Sequence, residues 1–166
     1  MSTTKQTFNI DKENKQIVIQ REFEADVKTL WDAYTTPEIL DQWWAPAPWK
    51  ARTKSMDFRE GGAWIYTMVG PEGEEHWAMA KYELIVKHEK YIGLDYFTDE
   101  NSIINPTLPS TQWEVKFEKS GLGTLVTTTM TFSDLTQLET IIQMGFKEGY
   151  TFAMNGLDEL LVRLKK

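Results

Sequence analysis

The sequence predicts an α+β fold: a strand, two short helices, six antiparallel strands, and a long C-terminal helix laid across the resulting sheet. Three observations predict it. Residues 112–118 alternate, with Trp113, Val115 and Phe117 on one face and Gln112, Glu114, Lys116 and Glu118 on the other, the period of a half-buried strand. Leu135, Leu138, Ile142, Phe146, Tyr150, Ala153, Leu157, Leu160 or Leu161, and Leu164 recur at spacings of three and four, which is one face of a helix. Between the two helical regions, Gly61-Gly62 and Gly70-Pro71-Glu72-Gly73 carry turn chemistry that divides the middle of the chain into hairpins.

Taken in order, Gln16–Phe23 is rich in β-branched residues and reads as the first strand. Asp26 suits an N-cap, and Val27, Leu30, Trp31 and Tyr34 follow at i, i+3, i+4 and i+7, an amphipathic helix. Thr36-Pro37-Glu38 restarts a second helix of about two turns, which Pro46 and Pro48 stop. Strands follow over 50–58, 63–69, 75–87, 91–98, 112–119 and 124–132, with Gly121-Leu122-Gly123 as the last turn. Asp99–Ser110 is a loop of about twelve residues, a length typical of lids. A single helix is expected from Ser133 or Asp134 to Leu164. It must lie on the sheet, because its apolar face has nowhere else to go.

A chain of 166 residues suits one domain with its own core, here expected to span residues 1–166 with residues 1–13 a polar, loosely ordered segment. The absence of cysteine excludes disulfides and thiolate metal sites. The polar start, MSTTKQTFNIDKENK, lacks the apolar region of a secretory signal, and no run reaches the roughly 20 apolar residues of a membrane span. A cytoplasmic protein is expected. The formal charge is −7, and Lys and Arg cluster no further than pairs such as Lys165–Lys166. Phosphate backbones are bound through basic residues, so neither nucleic acid nor an anionic membrane is an expected partner.

Five of the seven tryptophans lie between Leu30 and Met68. Each ring removes about 150–250 Å² from water when buried. Rings at this density build either an oversized core or a wall around an apolar space. Strand parity points Trp64 and Tyr66, Tyr82 and Leu84, Leu94 and Tyr96, Trp113 and Phe117, and Val126 and Met130 inward. The helix adds Phe146, Tyr150 and Met154, and Trp43 closes one end. Apolar walls with a few convergent polar tips suit a small-molecule site; the alternative is that these side chains fill the space themselves. His76 shares the inward parity of Ala78, Ala80 and Tyr82 and is the expected polar group inside.

Other chemistry finds little footing. His76 and His88 are the only histidines, and neither has a second ligand at helical or close strand spacing, so no metal is expected. Asp57-x-Arg59 with Gly61-Gly62 lacks the spacing of a P-loop or dinucleotide fingerprint, so no cofactor is expected; the pair reads as a brace for its hairpin. No serine sits in an elbow such as G-x-S-x-G. No acid and base stand at a diagnostic spacing, so no catalytic residue is assigned. Gly145, Gly149 and Gly156 lie within about 40° on the expected helix, a stripe that either lets the helix approach the sheet or leaves room for a ligand.

Several segments together resemble a known family. They are Phe23-Glu24-Ala25 with Leu30-Trp31; Tyr34-Thr35-Thr36-Pro37-Glu38-Ile39-Leu40 with Trp43-Trp44-Ala45-Pro46; Asp57-Phe58-Arg59-Glu60-Gly61-Gly62; and Gly149-Tyr150 followed by Met154, Leu157 and Leu161. The chain resembles bacterial homologues of the C-terminal domain of the heat-shock-protein-90 ATPase activator, within the START-like (SRPBCC) superfamily. Two positions depart from the pattern: Asp26 stands where proline is common, and Tyr150 replaces a tryptophan. The resemblance implies a helix-grip fold, a curved antiparallel sheet around the C-terminal helix with an apolar cavity between them. It names no ligand, since one fold hosts many functions. Three readings follow: a binding protein for a small hydrophobic or aromatic molecule, a module docking on a chaperone ATPase in the stress response, and a cyclase- or dehydratase-type enzyme.

Overall fold

The computed structural model describes residues 6–45, 48–121 and 123–164. Its centre is one antiparallel sheet of eight strands: β1 (Gln6–Asp11), β2 (Gln16–Phe23), β3 (Lys50–Met56), β4 (Ala63–Val69), β5 (Glu75–Val86), β6 (Lys90–Thr98), β7 (Thr111–Ser120) and β8 (Gly123–Phe132). The spatial order is β1-β2-β8-β7-β6-β5-β4-β3. Between β2 and β3 stand α1 (Val27–Thr35) and α2 (Pro37–Leu40); after β8 come α3 (Leu135–Gln143) and α4 (Phe146–Leu164). This is the α+β helix-grip architecture that the sequence predicts, with two differences.

The first difference is β1. Residues 6–11 are not loose: they pair with β2 in register from Gln6↔Arg21 to Asp11↔Gln16. The pairing hides no signal in composition. Phe8 packs on the core through Phe146, at 6.1 Å between rings, and backbone bonds to β2 need no apolar period. Residues 1–5, Pro46, Leu122 and the Lys165–Lys166 pair lie outside the described residues.

The second difference is a break in the C-terminal helix. Met144 caps α3, and Gly145 takes a φ of +85° while its N–H bonds to Ile142 O. A left-handed residue after the last helical turn is the usual glycine stop. The chain then restarts as α4 in a new direction. The three-and-four apolar spacing runs through the break because both helices bury faces against the same sheet.

The helix starts follow their local chemistry. Asp26 caps α1 by accepting from Thr29 N at 2.8 Å, and Pro37 opens α2 directly after Thr36. Asp57 and Arg59 pair at 2.7 Å beside the Gly61-Gly62 turn. There a Cβ on Gly62 would lie 2.1 Å from Asp57 O. Register shifts interrupt the ladders at Thr53/Ser55 and Tyr82/Leu84, and such bulges bend a sheet.

Two apolar clusters fill the concave side. One gathers Trp31, Tyr34, Trp43, Phe117 and the α4 residues Leu157, Leu160 and Leu161. The other gathers Ile17, Ile19, Met130, Phe132, Leu138 and Ile141. Tyr150 touches both. Polar ties hold α4 in place: Arg21 on β2 reaches Asn155 and Asp158, and Gln6 donates to Thr151 at 3.1 Å. Among the described residues no helix is long and apolar enough to cross a membrane.

Candidate functional site

Where the two clusters meet, they do not fill the fold. A space of about 230 Å³ remains between the sheet and α4. The sheet side comes from Tyr66, Met68, Ala78, Asp95, Phe97 and Trp113; Trp43 and Trp44 close one end, and Pro109 and Thr111 lie at the other edge of the lining. The helices supply Ile141 from α3 and Phe146, Gly149, Tyr150, Ala153 and Met154 from α4. The α4 face opposite the sheet is made of small residues at Gly149 and Ala153, one turn apart, so a large side chain is missing where the clusters would otherwise touch. The glycine break matters here as well. It lets Ile141 and Phe146, on two helices, border the same space.

The rings form a continuous arc. Trp43 and Trp44 stand 5.4 Å apart, Trp44 and Trp113 6.2 Å, Trp113 and Phe146 6.2 Å, and Phe146 and Tyr150 5.4 Å. The Trp43–Trp44 and Trp113–Phe146 contacts are edge-on, as the ring quadrupole favours, and the other two are tilted. Most polar tips in the arc are satisfied. Trp43 donates to Ala33 O and Trp44 to the Tyr66 hydroxyl, each at 3.0 Å, while the Tyr150 and Thr128 hydroxyls share a bond of 3.1 Å. Burial pushes the Tyr66 and Tyr150 phenols upward, so both remain neutral.

Two polar groups of the lining stand out for want of a partner among the described residues. The Trp113 indole N–H is buried without an acceptor. Asp95 is half-buried, turned toward the space by its parity with Tyr91 and Gly93, and its carboxyl takes part in no hydrogen bond or ion pair. Loss of water around it raises its pKa to about 8. Loss of hydration without donors to replace it disfavours the charged form of a carboxyl, which is the cause of this rise.

The structure brings eight of the twelve sequence-nominated residues around this space: Trp43, Tyr66, Tyr96, Trp113, Met130, Phe146, Tyr150 and Met154. Four are elsewhere. Trp64 and Tyr82 border a separate void of about 20 Å³ deeper under the sheet. Phe117 is core, 5.3 Å from both the Trp31 and the Tyr34 ring. His76 is corrected most clearly: it is exposed near the end of β5, with its ring 5.2 Å from Trp49. Strand alternation assigned it to the inner face, but the strand there extends past the edge of the core.

Alternation also failed across the bulge at Tyr82/Leu84. Leu84, expected inside, is 36% exposed, and Ile85 packs inward instead. On β6 Leu94, expected inside, lines neither space, while Gly93, Asp95 and Phe97 join Tyr96 in the linings. Asp95 is therefore the functional candidate that sequence reasoning missed. Its signal was a lone acid sharing parity with Tyr91, Gly93 and Phe97, which apolar bias assigned to the outer face.

The loop after β6 is partly tied down. Ile104 bridges to Thr98, and Asn105 N donates to Phe97 O at 2.8 Å. Its far end delivers Pro109 to the lining, while Ile103 stays exposed. Among the described residues no group of three His, Asp or Glu gathers as a metal site. Among the described residues no Lys, Arg or His lines the space. The arrangement can hold a small apolar body beside the Asp95 acid, the Trp113 indole N–H and the tyrosines Tyr66, Tyr96 and Tyr150.

Comparisons with known proteins agree with this architecture. The sequence model of the family described as "Activator of Hsp90 ATPase homolog 1-like protein" matches residues 24–162. Protein Ms6760 from Mycobacterium smegmatis is similar at 30% identity, covering 93% of this chain and 95% of that one, with a TM-score of 0.87. A protein from Arthrobacter aurescens is also 30% identical, covering 95% and 91%, with a TM-score of 0.89. Protein NE0264 from Nitrosomonas europaea, at 24% identity and a TM-score of 0.79 over 92% and 97% of the chains, shares the fold. No curated protein matches the chain. The family match covers both short helices, the six strands β3 to β8, α3 and nearly all of α4, and the chain belongs to the Activator of Hsp90 ATPase homolog 1-like family.

Proposed function

We propose that this protein is a cytoplasmic, non-catalytic binding protein that holds a small aromatic or apolar molecule between its sheet and α4. One observation carries the reading: a space of about 230 Å³ lined by aromatic rings, in which the Trp113 N–H and the Asp95 carboxyl have no partners among the described residues. Unpartnered buried polar groups cost about 1–3 kcal/mol each, and a ligand relieves that cost where side chains do not. A cavity of about 150 Å³ holds benzene, so this one suits one ring or two fused rings.

Native mass spectrometry of freshly purified protein tests for a retained molecule, and calorimetric titration with indole tests the space directly. One-to-one binding that Trp113→Ala weakens beyond its effect on stability supports the reading. No binding by folded protein would mean that the space is only a packing defect.

A second reading rests on the description of the matched family: a module that docks on a chaperone ATPase. Addition of the protein to a purified Hsp90-type ATPase, with turnover of ATP as the readout, decides it. An unchanged rate and no complex by sedimentation would remove it.

A further inference from the structure

We infer that the molecule held in this space is a compact aryl-alkyl amine whose ammonium group pairs with the Asp95 carboxylate, an inference that rests on the space being a ligand site. Among the described residues Asp95 contributes the only carboxyl to the lining, and no cationic side chain accompanies it. An anionic ligand would find no countercharge there and would face a carboxyl. A purely apolar ligand would leave that carboxyl as unpartnered as it is now. An ammonium ion satisfies it, and the Trp44, Tyr66 and Trp113 rings beside it can stabilise a cation through their π-faces. The net charge of −7 also draws cations rather than anions toward the protein.

The proton balance follows from the empty state. Burial keeps the Asp95 carboxyl protonated near neutral pH, its pKa lying at about 8. When the ammonium docks, the carboxyl O–H bond breaks, its proton leaves to solvent, and the carboxylate pairs with the cation. No covalent bond to the ligand forms. The titratable groups that act on Asp95 from its neighbours are the phenols of Tyr66 on β4, Tyr82 on β5 and Tyr91 on β6, all pushed upward by burial. None of them titrates near neutral pH, so Asp95 alone accounts for the released proton.

Titration calorimetry of the wild-type protein with tryptamine, 3-ethylindole and indole-3-acetate tests the inference. The expected order at pH 8 is tryptamine about tenfold tighter than 3-ethylindole, as for a charge-assisted bond, with indole-3-acetate weakest. Runs in two buffers of different ionisation enthalpy should show release approaching one proton per tryptamine at pH 7. The tryptamine affinity should rise about tenfold from pH 6 to pH 7, while that of 3-ethylindole stays constant. Asp95→Asn should abolish both the amine preference and the proton release. Equal binding of amine and neutral analogue without proton release would overturn amine recognition while leaving the ligand site standing. Binding of none of the three would overturn the site itself, and the inference with it.

Discussion

Arg21 on β2 and Asp158 on α4 meet at 2.6 Å, with side chains 5% and 29% exposed. The same guanidinium also bonds Gln6 on β1 and Asn155 on α4. One side chain thus ties the edge strand and the last helix to the sheet. Removing a single partner of a buried pair leaves the other charge uncompensated. Arg21→Ala should lower stability by about 3 kcal/mol, read as a shift in the urea midpoint. A change under about 0.5 kcal/mol would show that the pair contributes no more than an exposed one.

Gly149 borders the space under α4. Gly149→Leu should project into it, replace a helix-weakening residue worth about 1 kcal/mol, and hold or raise the melting temperature while abolishing indole binding. Overpacking would instead cost about 1–3 kcal/mol, and a clear fall in melting temperature would show that the position serves close packing.

Asp95 should make stability depend on pH. Its folded pKa, about 8, lies above the ordinary carboxylate value, so between about pH 4 and pH 8 the folded state holds a proton that the unfolded state has lost. Stability therefore falls as pH rises through that window, by up to about 1.4 kcal/mol per pH unit, and levels off above it. Asp95→Asn should flatten this slope and be the more stable protein at pH 8. Urea midpoints of both proteins at pH 5 and pH 8 measure the effect; parallel slopes would place Asp95 in a wetter setting.

The 99–110 loop offers a dynamic test. It is pinned at Ile104 and Asn105 and reaches the lining at Pro109. Amides at 100–103 should exchange fast, and those at Leu108 and Ser110 should slow when indole saturates the protein. Equal exchange with and without indole would deny the loop any part in access.

Legibility differed from element to element. The strands at 63–69 and 112–119 could be read closely because each buries one face of a regular pleat, and a period of two survives that arrangement. Asp26 and Pro37 marked their helix starts through chemistry confined to a few neighbours. Beyond a bulge the same rule misleads. One extra residue near Glu83 reverses the parity that placed Leu84 inside, and no local pattern announces it.

The sequence by itself determined the order of elements, the antiparallel meander, the apolar face shared by α3 and α4, and the family. Each depends on periodicity or short motifs. Only the tertiary structure decided that β1 pairs with β2, that the C-terminal helix breaks at Gly145, and that His76 lies exposed beyond the core while Asp95 lines the space. The volume between the two core clusters was likewise beyond local reading. It is the difference between what the sheet's curvature encloses and what Gly149, Ala153 and Ala78 fill, and such a difference depends on side chains that are distant in sequence and adjacent only after folding.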